Sequence, residues 1–145
     1  MIHGTELWYV ESGELVGESG PDNAYGYLAA AQTYKDFDLS LEFRQDADGN
    51  SGVFFHAQLD GIQISGFQAE IAPINMQTGG IYESGGRGWL IQPAVEKESV
   101  LKIGEWNQMR VRVQGAQVMT WLNGVEMIQL NDAAIAATQG LLALQ

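Results

Sequence analysis

The sequence predicts an all-β fold: an antiparallel two-sheet sandwich or jelly roll with little helix. Three observations carry this expectation. Apolar and polar residues alternate over many short runs, 18 glycines punctuate those runs, and helical periodicity is almost absent.

The elements follow in order. "LWYV", "GELVG" and "YGYLAA" read as early strands. "FDLSLEFR" is clearer: Phe37, Leu39, Leu41 and Phe43 share one face, and Asp38, Ser40, Glu42 and Arg44 share the other. "SGVFFHAQ", "GFQAEIA" and "GGIYE" continue the series, and "MRVRV" turns Met109, Val111 and Val113 inward with Arg110 and Arg112 outward. A hairpin is expected at "QGAQ", Gln114 to Gln117. A second lies in "TWLNGVEMIQL", where Asn123-Gly124 suits the two positive-φ positions of a type I′ turn. "NDAAIAATQG" supports at most a short helix or turn, with a cap at Asn131 or Asp132 and a stop at Gly140. "GLLALQ" closes the chain as a strand. Neither an internal repeat nor a linker divides it, so residues 1–145 read as one domain.

Composition narrows the function. A chain of 145 residues can bury a core without staples, and it has no cysteine to form a disulfide or a thiolate metal site. Only His3 and His56 could supply imidazole, so a zinc site would be hard to build. With 18 acidic against 7 basic residues the net charge is −11, a field that repels phosphate backbones and anionic lipid. Nucleic acid and membrane are therefore not the expected partners, whereas neutral polyols such as sugars are. No apolar run reaches the length of a membrane span, and "MIHGTELWYV" lacks the regions of a signal peptide, so the chain as it stands reads as soluble.

Six blocks occur in a telling order: "GNSGVFFHAQ" (49–58), "GFQAEI" (66–71), "GGIYESGGRGWL" (79–90), "GEWNQMRVRVQG" (104–115), "TWLNGV" (120–125) and "GLLALQ" (140–145). Together they resemble the 3-keto-disaccharide hydrolase family, long catalogued as a domain of unknown function. "WYVESGELVG" and "YKDFDLSLEFR" match its opening strands. The resemblance implies a concanavalin-like sandwich with one concave, sugar-facing sheet. It also implies cleavage of glycosides already oxidised to a ketone at C3, and export to the periplasm or beyond. The family usually has a further strand before "WYVESG" and another after "LALQ". The chain thus reads as trimmed or compact, with a sheet edge that a second copy could cover. Ala72, Ser84 and Gly86 stand where many relatives carry polar residues.

The chemistry implied is elimination. A C3 ketone acidifies the C2 proton, so a base forms an enolate, the C1 substituent leaves, and water adds back. No oxocarbenium ion and no pair of opposed carboxylates is needed. Gln68 and Glu70, two apart on a strand, share a face, with Phe67, Ala69 and Ile71 on the core face. His56 has the parity of Phe54 and Gln58, which predicts a polar stripe along one sheet face. Glu70 or His56 is the expected base, a histidine starting near pKa ~6.5 and a glutamate needing burial to rise. Glu83 is the next acid candidate. Arg87 would steady the enolate or grip hydroxyls, Tyr82 and Trp89 offer rings to a sugar face, and Asn50 would shape a loop or bond substrate. A divalent ion, calcium or a transition metal, would suit the enolate, although no EF-hand ligand run is present.

Plainer roles compete for each residue. His56 could be a satisfied sheet histidine, Glu70 and Gln68 an outer face, and Glu83 and Arg87 a loop brace. Trp106 and Trp121 read as core. Two other functions fit the same pattern: a non-catalytic carbohydrate-binding module, favoured by Ala72, Ser84 and Gly86, and a protein–protein sandwich presenting an apolar patch.

Overall fold

A computed structural model describes residues 1–5, 7–22 and 24–145. The described residues form β1 (Ile2–His3), a hairpin of β2 (Leu7–Glu11) and β3 (Glu14–Glu18), then β4 (Tyr27–Tyr34) and β5 (Phe37–Phe43). The central strands are β6 (Ser51–Asp60), β7 (Gln63–Ile71), β8 (Ile81–Ser84) and β9 (Gly88–Ile91). A 3-10 turn at Val95–Val100 precedes β10 (Asn107–Gln114), β11 (Gln117–Leu122) and β12 (Val125–Asn131). Helix α1 (Ala133–Ala136) then leads into β13 (Gly140–Leu144).

Seven strands in the order β1-β4-β13-β6-β7-β8-β9 make one antiparallel sheet, and four in the order β12-β11-β10-β5 make the other. Alternation decides which side chains meet between them. Val53, Phe55, Phe67, Ala69, Ile71 and Ile81 of the larger sheet pack on Met109, Val111, Val113, Val118 and Leu122 of the smaller. Phe37, Leu39, Leu41 and Phe43 pack against the same core, on the face their spacing predicts. Each large apolar side chain buried this way contributes about 1.5–3 kcal/mol. The fold is thus the expected β-sandwich. The expected hairpin turn is also present, with Asn123 at φ 50° and Gly124 at φ 82°.

Four features depart from the sequence expectations. The strands β1 and β9 and the 3-10 turn were not foreseen, whereas the short helix was: it is a single turn, Ala133–Ala136, capped by Asp132, which accepts from the N–H groups of Ala134 and Ile135. The hairpin β2–β3 stands as a separate two-stranded sheet, with Val10 72 % exposed. Trp106 is not a core residue: strand β10 starts one residue later, and the ring is 45 % exposed under the Arg44 guanidinium, 4.9 Å away.

The most consequential departure lies within β6. Its pairing with β7 shifts between Phe55 and Gln58, and His56 sits at φ 50°. This is a bulge: Phe55 and His56 both turn toward Phe67, and the alternation beyond them is reversed. Its neighbours must lie very close. A Cβ on Gly66 of β7 would come within 2.8 Å of the Ala57 Cα, and one on Gly140 of β13 within 2.6 Å of the Ala57 carbonyl oxygen. Glycine on both flanks is what admits the bulge.

Candidate functional site

The outer face of the seven-stranded sheet carries the first group. Gln68 lies opposite Phe54 on β6 and Tyr82 on β8, while Glu70 lies opposite Gly52. On the other flank the Glu70 N–H donates to the Gly80 carbonyl at 3.0 Å. Glu70 therefore stands between two residues without side chains. The space over Gly52 is filled by the Gln68 side chain, and that over Gly80 by the Trp89 ring, 3.0 Å from where a Gly80 Cβ would be. Trp89, 38 % exposed, meets Tyr82 edge to face at 5.3 Å.

The Glu70 carboxyl is buried, with 8 % of the residue exposed. Its Oε2 accepts from the Gln68 amide at 3.0 Å. Its Oε1 is shielded from water and has no hydrogen-bond partner among the described residues. Desolvation penalises the charged form, so burial pushes Glu70 up to about 7. A carboxyl in that range is part acid and part base at neutral pH, which is what general acid–base work requires.

A second group occupies the end of the sandwich on the inner side of the same sheet. The bulge, not the parity expected from sequence, decides this. His56 does not join Gln68 and Glu70 in one polar stripe, because its positive φ turns the ring inward. Its Nε2–H donates to the Lys35 carbonyl at 2.7 Å and its Nδ1 lies 3.0 Å from the Thr138 hydroxyl. Both ring nitrogens are thus engaged in holding β6 to neighbouring segments. Glu83, opposite Phe67, shares this inner side, and a cleft of about 420 Å³ opens there, lined by His56, Ser65, Glu83, Ser84, Thr138 and Gln139.

Arg87 closes the edge of that region. Its guanidinium donates to Glu83 and, through two bonds of 2.8 and 3.0 Å, to Asp132 at the start of α1. The bond to Asp132, then that to Glu83, raises the Arg87 pKa, and Arg87 in turn lowers that of Asp132. The trio clips the β8–β9 turn to the helix cap. Seven of the eight expected residues therefore fall into two groups on opposite faces of one sheet: Gln68, Glu70, Tyr82 and Trp89 outside, His56, Glu83 and Arg87 inside. Asn50 belongs to neither contact set and lies exposed just before β6.

Residues that sequence reasoning passed over matter as much. Gly52 and Gly80 set the room around Glu70, Gln145 accepts from Gln68 at 3.3 Å, and Asp132 and Thr138 anchor the inner group. The glycines were visible as part of a glycine-rich frame, but their partners were not. Among the described residues no group of three or more His, Asp or Glu side chains gathers closely enough to hold a metal ion. No helix among them is long and apolar enough to cross a membrane.

Solved structures share this architecture. A presumed glycosyl hydrolase of Parabacteroides distasonis matches with a TM-score of 0.68 at 21 % identity, over 95 % of this chain and 76 % of that one. The carbohydrate-binding module CBM66 of Bacillus subtilis matches at 0.71 and 12 % identity, over 96 % and 82 %. A Bacillus subtilis protein of unknown function with a galectin-like fold matches at 0.74 and 11 % identity, over 99 % and 80 %. At these identities the likeness establishes the fold alone. Among proteins of curated function, none matches this sequence. The profile of the 3-keto-alpha-glucoside-1,2-lyase-like domain matches residues 2–145, and the chain belongs to that family.

Proposed function

We propose that this domain acts on 3-keto-glycosides, with Glu70 as the base that removes the C2 proton. The observation that carries the reading is the Glu70 carboxyl itself, buried, pushed up to about 7, and left with one unpartnered oxygen that an entering substrate must uncover, on the sheet face that also carries Tyr82 and Trp89. Membership of a 1,2-lyase-like family supports it, since such a reaction breaks bonds at C1 and C2.

The steps balance without an added oxidant or reductant. The C2 proton passes to Glu70, the C2–H electron pair forms the enolate, and the C1–O bond breaks with its pair leaving on the departing oxygen. Solvent protonates that oxygen. Water then adds at C1, and Glu70 delivers to C2 a proton that has exchanged with solvent, so the net change is hydrolysis. Trp89 would lie against the apolar face of the ring. The family's carbohydrate-directed chemistry also supports a periplasmic or extracellular place of action.

One observation favours a second reading, non-catalytic saccharide binding: the cleft of about 420 Å³ adjoins Glu83 and His56 rather than Glu70. A single experiment separates them. Purified protein, with and without divalent ions, is incubated with a 3-keto-disaccharide and with the unoxidised disaccharide. Sugar release from the first alone supports the enzyme. Binding without release from either supports the module and removes the enzymatic reading.

A further inference from the structure

The outer-face geometry points to Gln68 as a positioning residue: its amide ties down Oε2 of Glu70 and so leaves Oε1, closed to solvent in this structure, as the oxygen that carries the proton. This rests on the reading of Glu70 as the proton acceptor, and it assigns Gln68 a different task from the substrate contact expected from sequence.

The amide orientation is fixed by its neighbours. Gln68 Nε2 lies 3.2 Å from the Ser51 carbonyl and 3.0 Å from Glu70 Oε2, both of which only accept when Glu70 is ionised, and 3.3 Å from Gln145 Oε1. Two N–H groups shared among three acceptors leave none for a substrate. Gln68 is itself buried, 5 % exposed, so the amide is held rather than mobile.

The sheet contains a seat for this side chain. A Cβ on Gly52 would fall 2.7 Å from the Gln68 Cγ and 2.8 Å from its Cδ, and closer still to Nε2. Only a bare backbone at position 52 lets the glutamine lie flat across β6 and reach Glu70. The colliding atoms all belong to the end of one flexible side chain. A methyl group at this position would therefore displace the amide rather than the strand.

With Oε2 occupied, a proton on the carboxyl resides on Oε1, the atom without a partner. Burial raises the Glu70 pKa. The strand registers put Tyr82 and Tyr27 on this face and Glu83 on the other.

The test uses the full chain with 13C-labelled glutamate, following the Glu70 carboxyl through a pH titration, its signal assigned by its loss in Glu70→Gln. Removing the N–H donor with Gln68→Met is expected to move the Glu70 midpoint up by about one pH unit, because a hydrogen bond to the charged form is lost. Gly52→Ala reaches the same end by displacing the amide and is expected to shift it in the same direction. The double variant should match Gln68→Met alone, since the added methyl group then has no amide left to displace. An unmoved midpoint in either single variant, or shifts that add in the double, overturns the proposal. Turnover of a 3-keto-disaccharide is read in the same proteins, with kcat expected to fall about tenfold or more at nearly constant KM. Shifted midpoints in a protein that has no turnover even as wild type would keep Gln68's role and remove the proposed activity. Unshifted midpoints with normal turnover would do the reverse.

Discussion

Replacing Glu70 by glutamine is expected to stabilise the protein at neutral pH while removing its proposed activity. In the unfolded chain this carboxyl ionises near 4.5, and in the fold burial holds its proton until about 7. Between those values the unfolded state has already lost the proton that the folded state retains. Stability therefore falls as pH rises through this window and levels off above it. At about 1.4 kcal/mol per pH unit, ionised Glu70 costs the fold about 3 kcal/mol. Glutamine keeps the shape and the acceptor for Gln68 without the charge. Urea unfolding of both proteins, followed by tryptophan fluorescence, gives the difference directly. It should be small near about pH 4.5 and grow to about 3 kcal/mol by about pH 8, equivalent to a Tm gain of about 6–12 °C. A difference that does not change with pH, or a wild type that is the more stable at about pH 8, would refute the reasoning.

Other perturbations test other parts of the structure. Trp89→Ala, made in the Glu70→Gln background to prevent turnover, should weaken calorimetric binding of a 3-keto-disaccharide about tenfold and leave the fold intact, since the ring is 38 % exposed. Glu98→Ala should cost about 3 kcal/mol in urea unfolding, because the buried Glu98 carboxylate accepts from the N–H groups of Gln77 and Thr78 at 2.7 and 3.2 Å. Gly124→Ala should cost about 1–2 kcal/mol, its φ of 82° being unfavourable for any residue with a Cβ. Arg87→Ala should lower Tm by a few degrees at low salt, with the effect fading as salt screens the Glu83 and Asp132 pairs.

Much of the sandwich was legible because burial on one side of a strand forces alternation. Phe37 to Phe43 and Met109 to Val113 declare their faces without any knowledge of their partners, and Asn123-Gly124 declares its turn. The bulge at His56 was not legible in that way. Alternation was carried straight through "GVFFHAQ", and only Gly66 and Gly140, on other strands, hinted that the backbone there needed room. Half of the expected stripe moved to the opposite face as a result. Glu70 was placed on the outer face correctly, but outer faces are commonly wet. That this one buries its carboxyl depends on Gln68, Gly52, Gly80 and Trp89 meeting around it, a coincidence of four chain segments that spacing cannot express. Trp106 shows the reverse case: an aromatic beside a strand looked internal, yet its ring lies outside beneath Arg44.

The most direct measurement follows the C2 hydrogen itself. When a 3-keto-disaccharide is turned over in heavy water, the wild type should release a 3-keto sugar carrying deuterium at C2, faster than the enzyme-free exchange, and Glu70→Gln should do neither. Release at the wild-type rate by Glu70→Gln, or product that keeps its original C2 hydrogen, would contradict Glu70 as the proton acceptor.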